Sequence, residues 1–209
     1  MPTPKHPILE EYSHLASVYD EKWSFYIDAT IRATLERLSL RPSDRVLDVG
    51  CGTGALLERL ASAHPAARLT GVDPVPEMLA QARRKVPAEV ELQEGWAELL
   101  PFDSGQFDVV VSCNVFHFIE EPEGALREMR RVLAPGGRLV ITDWCDDFLA
   151  CKFCDLYFRL FNPAHRKAYG RRECLHLLSE AGHAEVEIDR YKISWLWGLM
   201  TVRARKGEV

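Results

Sequence analysis

Two carboxylates and three glycines crowd one region of the chain. In "RVLDVGCGTGALLERL", residues 45–60, Asp48 stands two positions before Gly50, Gly52 and Gly54 follow, and Asp73 lies 23 positions after Gly50. Glycines between a strand and a helix let the backbone come close to a ligand at the carboxyl ends of strands. "GCGTGA" satisfies the dinucleotide pattern GxGxxA, with Asp73 placed to take a ribose. Asp48 points elsewhere, because a carboxylate beside the turn repels a pyrophosphate and attracts an ammonium or sulfonium.

Other side chains could handle protons. His117 follows a strand on the ligand side of the sheet, where a base of near-neutral pKa takes a proton from a hydroxyl or amine nucleophile. Packing against the next helix is its alternative reading. Asp143 closes a later strand and either orients a substrate or base, or caps nearby N–H groups. Cys151 and Cys154 form a CxxC pair, but no second CxxC or HxxxH pair completes a four-ligand zinc site, and on a helix both thiols share an apolar face. No metal is expected. Arg166, Lys167, Arg171 and Arg172 either receive an anionic group or form a solvated face.

The elements that must position these residues alternate. Apolar runs at "RVLDV", "ARLTGVD", "EVELQEG", "FDVVVSCN" and "GGRLVITDW" read as strands. Helical patterns separate them at 54–63, "VPEMLAQARRK" and "EPEGALREMRRVLA". Such alternation predicts an α/β fold, a mostly parallel sheet with helices on both faces. Before it, "HLASVYDEKWSFYIDATIRATLERL" predicts a helical cap with Tyr12, Leu15, Tyr19 and Trp23 along one side. After it, residues 145–169 break the rhythm with an aromatic-rich helical insertion that covers something, and Trp144, Phe148, Phe153, Tyr157, Phe158 and Phe161 either wall a pocket or pack. A helix at "RRECLHLLSEAG" and two closing strands complete one domain.

The 209 residues, 47% hydrophobic, suffice for one buried core. A net charge of -5 without a basic run gives nucleic acid little to hold, so the expected partner is a small molecule. No run approaches the roughly 18 apolar residues of a membrane span, and the N-terminus lacks a signal-peptide core. A cytoplasmic protein with reduced thiols is expected.

S-adenosylmethionine carries an ammonium, a sulfonium and a ribose diol, and no phosphate. "VLDVGCGTG", "GVDPVPEML" and "AELLPFDSGQFDVVVSCNVFHFIEEPEGALREMRRVLAPGGRLVITD" resemble, in order, the motifs of class I S-adenosylmethionine-dependent methyltransferases of the ubiquinone/menaquinone-type and small-molecule branch. The resemblance implies a Rossmann-like seven-stranded sheet in the order 3-2-1-4-5-7-6. It divides the domain into a cap (1–43), a cofactor-binding core (44–144), a lid-like insertion (145–169) and a closing segment (170–209).

It further implies that Asp48 and the backbone of Gly50 and Gly52 hold the methionine end, with Gly54 in the same cofactor-binding turn, and that Asp73 takes the ribose. Pro74 and Met78 would flank the adenine, with Ala97 at its edge and Asn114 near the methionine moiety. Tyr19, in an N-terminal "YD" element, is expected near the transferring methyl. Where this branch has an acid for the adenine amine, the chain has Trp96, which either stacks on the base or leaves the polar contact to Glu98. The alternatives are a noncatalytic S-adenosylmethionine-binding protein and an NAD-dependent oxidoreductase. The latter's resemblance requires a YxxxK pair that the chain lacks.

Overall fold

The computed structural model describes residues 6–207; the first five residues of the expected cap and the last two of the chain lie outside them. Strands β1 (Arg45–Val49), β2 (Arg68–Asp73), β3 (Glu91–Glu94), β4 (Phe107–Cys113), β5 (Leu133–Trp144), β6 (His183–Lys192) and β7 (Gly198–Lys206) form one sheet ordered β3-β2-β1-β4-β5-β7-β6. This is the predicted order. All pairings are parallel except those of β7, antiparallel to both β5 and β6.

The central strands are continuous apolar runs because both of their faces are covered. Alternation sends Leu47, Val49 and Val110 into one core with Leu126 and Met129 of α5 (Pro122–Val132) and Leu178 of α7 (Arg171–Glu180). Val46, Val109 and Val111 enter the other with Ile31 of α2 (Tyr19–Leu35), Leu57 and Leu60 of α3 (Ala55–Ala63) and Leu79 of α4 (Pro76–Lys85). α4 and α5 begin on Pro76 and Pro122, where the missing N–H would have had no helical partner.

Two boundaries differ from expectation. The N-terminal helix is two, α1 (Pro7–Leu15) and α2, so the aromatic stripe is divided, Tyr12 on one and Tyr19 on the other. A second break, at Trp23 (φ -114°, ψ 17°), turns α2 so that it packs across the sheet. The helix expected to reach Ala134 stops at Val132, and extended chain begins at Leu133. Leu133 pairs with Phe107, and the register then shifts, a bulge that accommodates Pro135, Gly136 and Gly137. In 145–169 the helix α6 (Leu149–Phe161) forms as expected. Among the described residues no helix is long and apolar enough to cross a membrane.

From β1 the chain winds outward through β2 and β3, and it then returns to β4 on the other side. Such a reversal opens a crevice at the carboxyl ends of β1 and β4, where α/β sheets bind ligands.

Candidate functional site

That crevice is a cavity of about 470 Å³, closed above by α1 and the start of α2. Asp48, at the end of β1, and Asp73, at the end of β2, both lie on its wall and are buried. Burial and the neighbouring Asp73 push the Asp48 carboxyl up to about 8. Burial pushes Asp73 up to about 6, although it accepts N–H bonds from Val75 (2.9 Å) and Gly52 (2.8 Å). Two desolvated carboxylates in one cavity disfavour each other's charge, and a cationic guest relieves both.

The glycine turn sharpens this preference. The N–H groups of Gly50 and Cys51 donate to Val72 O, at 2.8 and 3.0 Å, and that of Gly52 goes to Asp73. Three donors that a phosphate would need are already spent. Gly50 has φ 74°, and a Cβ there would sit 2.4 Å from Val115 Cγ2. Gly52 has φ 52°, and a Cβ there would meet no protein atom within 4 Å and would project into the cavity. Gly54, by contrast, does not line the cavity: its missing Cβ lets α3 close on Ala82 of α4, 2.9 Å away. Its expected place in the binding turn is corrected to helix packing.

Tyr19, Pro74, Met78, Trp96, Ala97, Glu98 and Asn114 all line the cavity. Tyr19 is fixed by its neighbour Asp20, which accepts from Thr53 Oγ1 of the glycine turn (2.6 Å) and pairs with Lys85 of α4. Burial holds the Tyr19 phenol well above its ordinary pKa, so it stays protonated. Trp96 meets His6 edge-to-face with ring centroids 4.6 Å apart, and Glu98 accepts the Glu120 N–H at 3.3 Å. The Asn114 side chain is committed: Oδ1 accepts from Tyr26 Oη (2.7 Å) and Nδ2 donates to Thr30 Oγ1 (2.8 Å). Its backbone takes the left-handed conformation, φ 63°.

His117 and Asp143 are absent from the lining. They form a buried pair, Nδ1 to Oδ1 at 2.6 Å, and His117 stacks on Trp144 at 4.9 Å. Asp143 also accepts the N–H groups of His117 and Trp144, so its capping function is visible. The direct catalytic reading of His117 gives way to its packing alternative, and Asp143 holds the His117 ring and caps N–H groups, as two of its readings allowed: the short 3-10 turn at Phe116–Phe118 puts Phe118 on the wall and His117 behind it.

Of the two readings of the aromatic insertion, pocket wall or packing, the wall is not the one seen. None of Trp144, Phe148, Phe153, Tyr157, Phe158 and Phe161 lines the cavity. Trp144 and Phe158 pack with Tyr26 and Trp197, whereas Phe153, Tyr157 and Phe161 face outward. The closing wall comes instead from His6, Ile8 and Tyr12. Tyr12 lies 5.8 Å from Tyr19 and 5.4 Å from Phe118, centroid to centroid. His6 carried no signal in the sequence, while Tyr12 did, in the stripe it shares with Tyr19. Cys151 is buried against Gly198, whose N–H is 3.0 Å from the sulfur, so this thiol is packing. Arg166 pairs with Glu120 and Lys167 with Glu173, which occupies two of the four cations of the basic cluster.

A seven-stranded sheet in this order, with paired acids at the ends of β1 and β2 and a glycine turn between them, defines the class I methyltransferase fold. Residues 47–141 match the family model described as a methyltransferase domain. Over 140 residues the chain is 41% identical to the demethylmenaquinone methyltransferase of Thermus thermophilus, covering 64% of each protein. It spans 36% to 64% of the length of the curated relatives it matches. Among solved structures, a chain of the complex containing the Haloferax volcanii Trm112 methyltransferase activator superposes with a TM-score of 0.84 at 20% identity, over 95% of this chain and 98% of that one. A SAM-dependent methyltransferase of Thermotoga maritima, described as a possible histamine N-methyltransferase, gives 0.77 at 22% identity, over 95% and 99%. The chain is thus similar over residues 47–141 to the methyltransferase domain family, and it shares its fold with solved S-adenosylmethionine-dependent methyltransferases.

Proposed function

We propose that the protein transfers the methyl group of S-adenosylmethionine to a small, partly apolar acceptor, by in-line displacement. The observation that carries this reading is the pairing of Asp48 and Asp73 in one cavity whose glycine-turn N–H groups are spent. That donor set suits a cation and a diol, and does not suit a pyrophosphate. When bound, S-adenosylmethionine supplies an electrophilic methyl on a sulfonium whose departure as a thioether needs no acid.

The chain's own residues then hold and align. Asp48 meets the positive charge, and Asp73, immobilised by two backbone N–H groups, keeps lone pairs for ribose hydroxyls. Pro74, Met78 and Ala97 supply apolar walls for the base, with Trp96 and Glu98 at its edge. Tyr12, Tyr19 and Phe118 exclude water from the acceptor side, and proximity supplies the rate. His117 and Asp143 act through Trp144 and its partner Tyr26, as positioning residues. The relatives named as demethylmenaquinone methyltransferases and the aromatic wall together favour a quinone-class acceptor. Six free cysteines fit the cytoplasm.

Calorimetry with S-adenosylmethionine, S-adenosylhomocysteine and NAD tests the reading. The first two should bind and NAD should not; Asp73→Ala should weaken binding by about 1–3 kcal/mol through lost hydrogen bonds. NAD binding without S-adenosylmethionine binding overturns the proposal. Binding without labelled methyl transfer to any acceptor of a quinol and phenol panel would favour a noncatalytic binding protein, the reading that Trp96 in the adenine acid's place supports.

A further inference from the structure

The outer face of α6 is apolar where a surface helix is normally polar. Leu149, Phe153, Leu156, Tyr157, Leu160 and Phe161 are each between 55% and 76% exposed. The spacing of Leu149, Phe153, Leu156 and Leu160 makes one stripe, opposite the inward face formed by Cys151, Asp155 and Phe158. Beside α6, the loop before β7 is tied down where Cys151 Sγ meets Gly198 N at 3.0 Å, and that loop holds out Trp195, 82% exposed.

The exposed charges of α6 itself have one sign. Lys152 and Arg159, seven residues apart, flank the stripe on the same side. The one acid of α6, Asp155, is turned inward, accepting from His165 Nε2 at 2.8 Å and from the Ala168 N–H at 2.6 Å. Lys152 has Asp146 at 3.8 Å and Arg159 has the buried Asp155 at 3.8 Å, loose contacts that leave the two cations more than half exposed.

We propose that α6 is an interfacial helix that seats the protein on an anionic lipid bilayer, its apolar stripe entering the headgroup boundary and Lys152 and Arg159 meeting lipid phosphates. A helix of 13 residues is about 20 Å long, and paired with a second copy it covers a strip well short of the ~800 Å² per partner of a stable interface. A lipid surface needs no such area, since apolar insertion and cation attraction add. Asn162 Nδ2, just past α6, donates to Glu11 Oε1 of α1 at 3.0 Å, so the seated helix is joined to the wall that closes the cavity. The proposal does not depend on which ligand the cavity takes.

Flotation of the full chain with vesicles tests it, using phosphatidylcholine alone and with phosphatidylglycerol. Wild type should float with the phosphatidylglycerol vesicles, less so as salt rises. The double substitution Phe153→Ser and Leu160→Ser should lower partitioning by about tenfold or more. Lys152→Glu with Arg159→Glu should lower it on the anionic vesicles selectively. Both variants should keep the wild-type melting profile and affinity for S-adenosylhomocysteine, which reads the cavity separately. No flotation of wild type, or flotation indifferent to both substitutions, overturns the proposal. A dimer that Phe153→Ser with Leu160→Ser dissociates, without vesicle binding, assigns the face to a second copy instead.

Discussion

Tyr26 Oη donates to Asn114 Oδ1 at 2.7 Å while accepting from Trp144 Nε1 at 2.6 Å, so one phenol joins the cavity wall to the buried aromatic cluster. Asn114 is held in its left-handed conformation between this bond and Thr30. Tyr26→Phe removes the phenol and leaves a buried indole N–H and an amide oxygen unsatisfied. It should cost about 1–3 kcal/mol in urea unfolding, with a loss of S-adenosylhomocysteine affinity beyond what a distant substitution of equal destabilisation produces. An affinity equal to wild type would sever Tyr26 from the site.

The pH behaviour of the empty cavity has a definite sign. Asp73 and Asp48 are raised from 3.8 to about 6 and about 8, so the folded chain holds their protons more tightly than the unfolded chain does. Stability of the ligand-free protein is therefore fullest below the unfolded value and declines as pH rises through about 6 and then about 8. Asp48→Asn should flatten the upper part of that decline in urea midpoints taken across the range. Affinity for S-adenosylhomocysteine, whose ammonium favours the ionised carboxylate, should rise over the same interval in wild type and not in Asp48→Asn.

The two cavity glycines should respond differently to alanine. At Gly50 the new methyl collides with Val115, and at Gly52 it enters the cavity, with a left-handed backbone cost of about 1–2 kcal/mol at either position. Gly50→Ala should be the more destabilised by urea denaturation. Gly52→Ala should fold and bind S-adenosylhomocysteine weakly; retention of full affinity would show that the space over Gly52 is not where the ligand lies.

How far the sequence could be read depends on the range of each interaction. Strand and helix periodicity is local, and the resemblance carried the strand order, so all seven strands and the Asp48, Gly50, Gly52 and Asp73 constellation were legible. The start of β5 was not, because Pro135 and Gly136 read as a stop and only pairing with β4 extends the strand across them. Gly54 shares its neighbours' chemistry and differs only in facing α4.

By itself the sequence determined the sheet, the glycine turn and the sign of the guest, since a carboxylate's charge and a glycine's missing Cβ are properties of residue type. Only the tertiary structure decided that the turn's N–H groups are spent, that His117 stands behind Phe118, that α1 rather than the aromatic insertion closes the cavity, and that α6 turns Phe153 and Leu160 outward. Each of these depends on partners far apart in the chain, as Tyr26 and Asn114 are at 88 residues' separation. A helical period says which residues share a face, and packing alone chooses what that face meets.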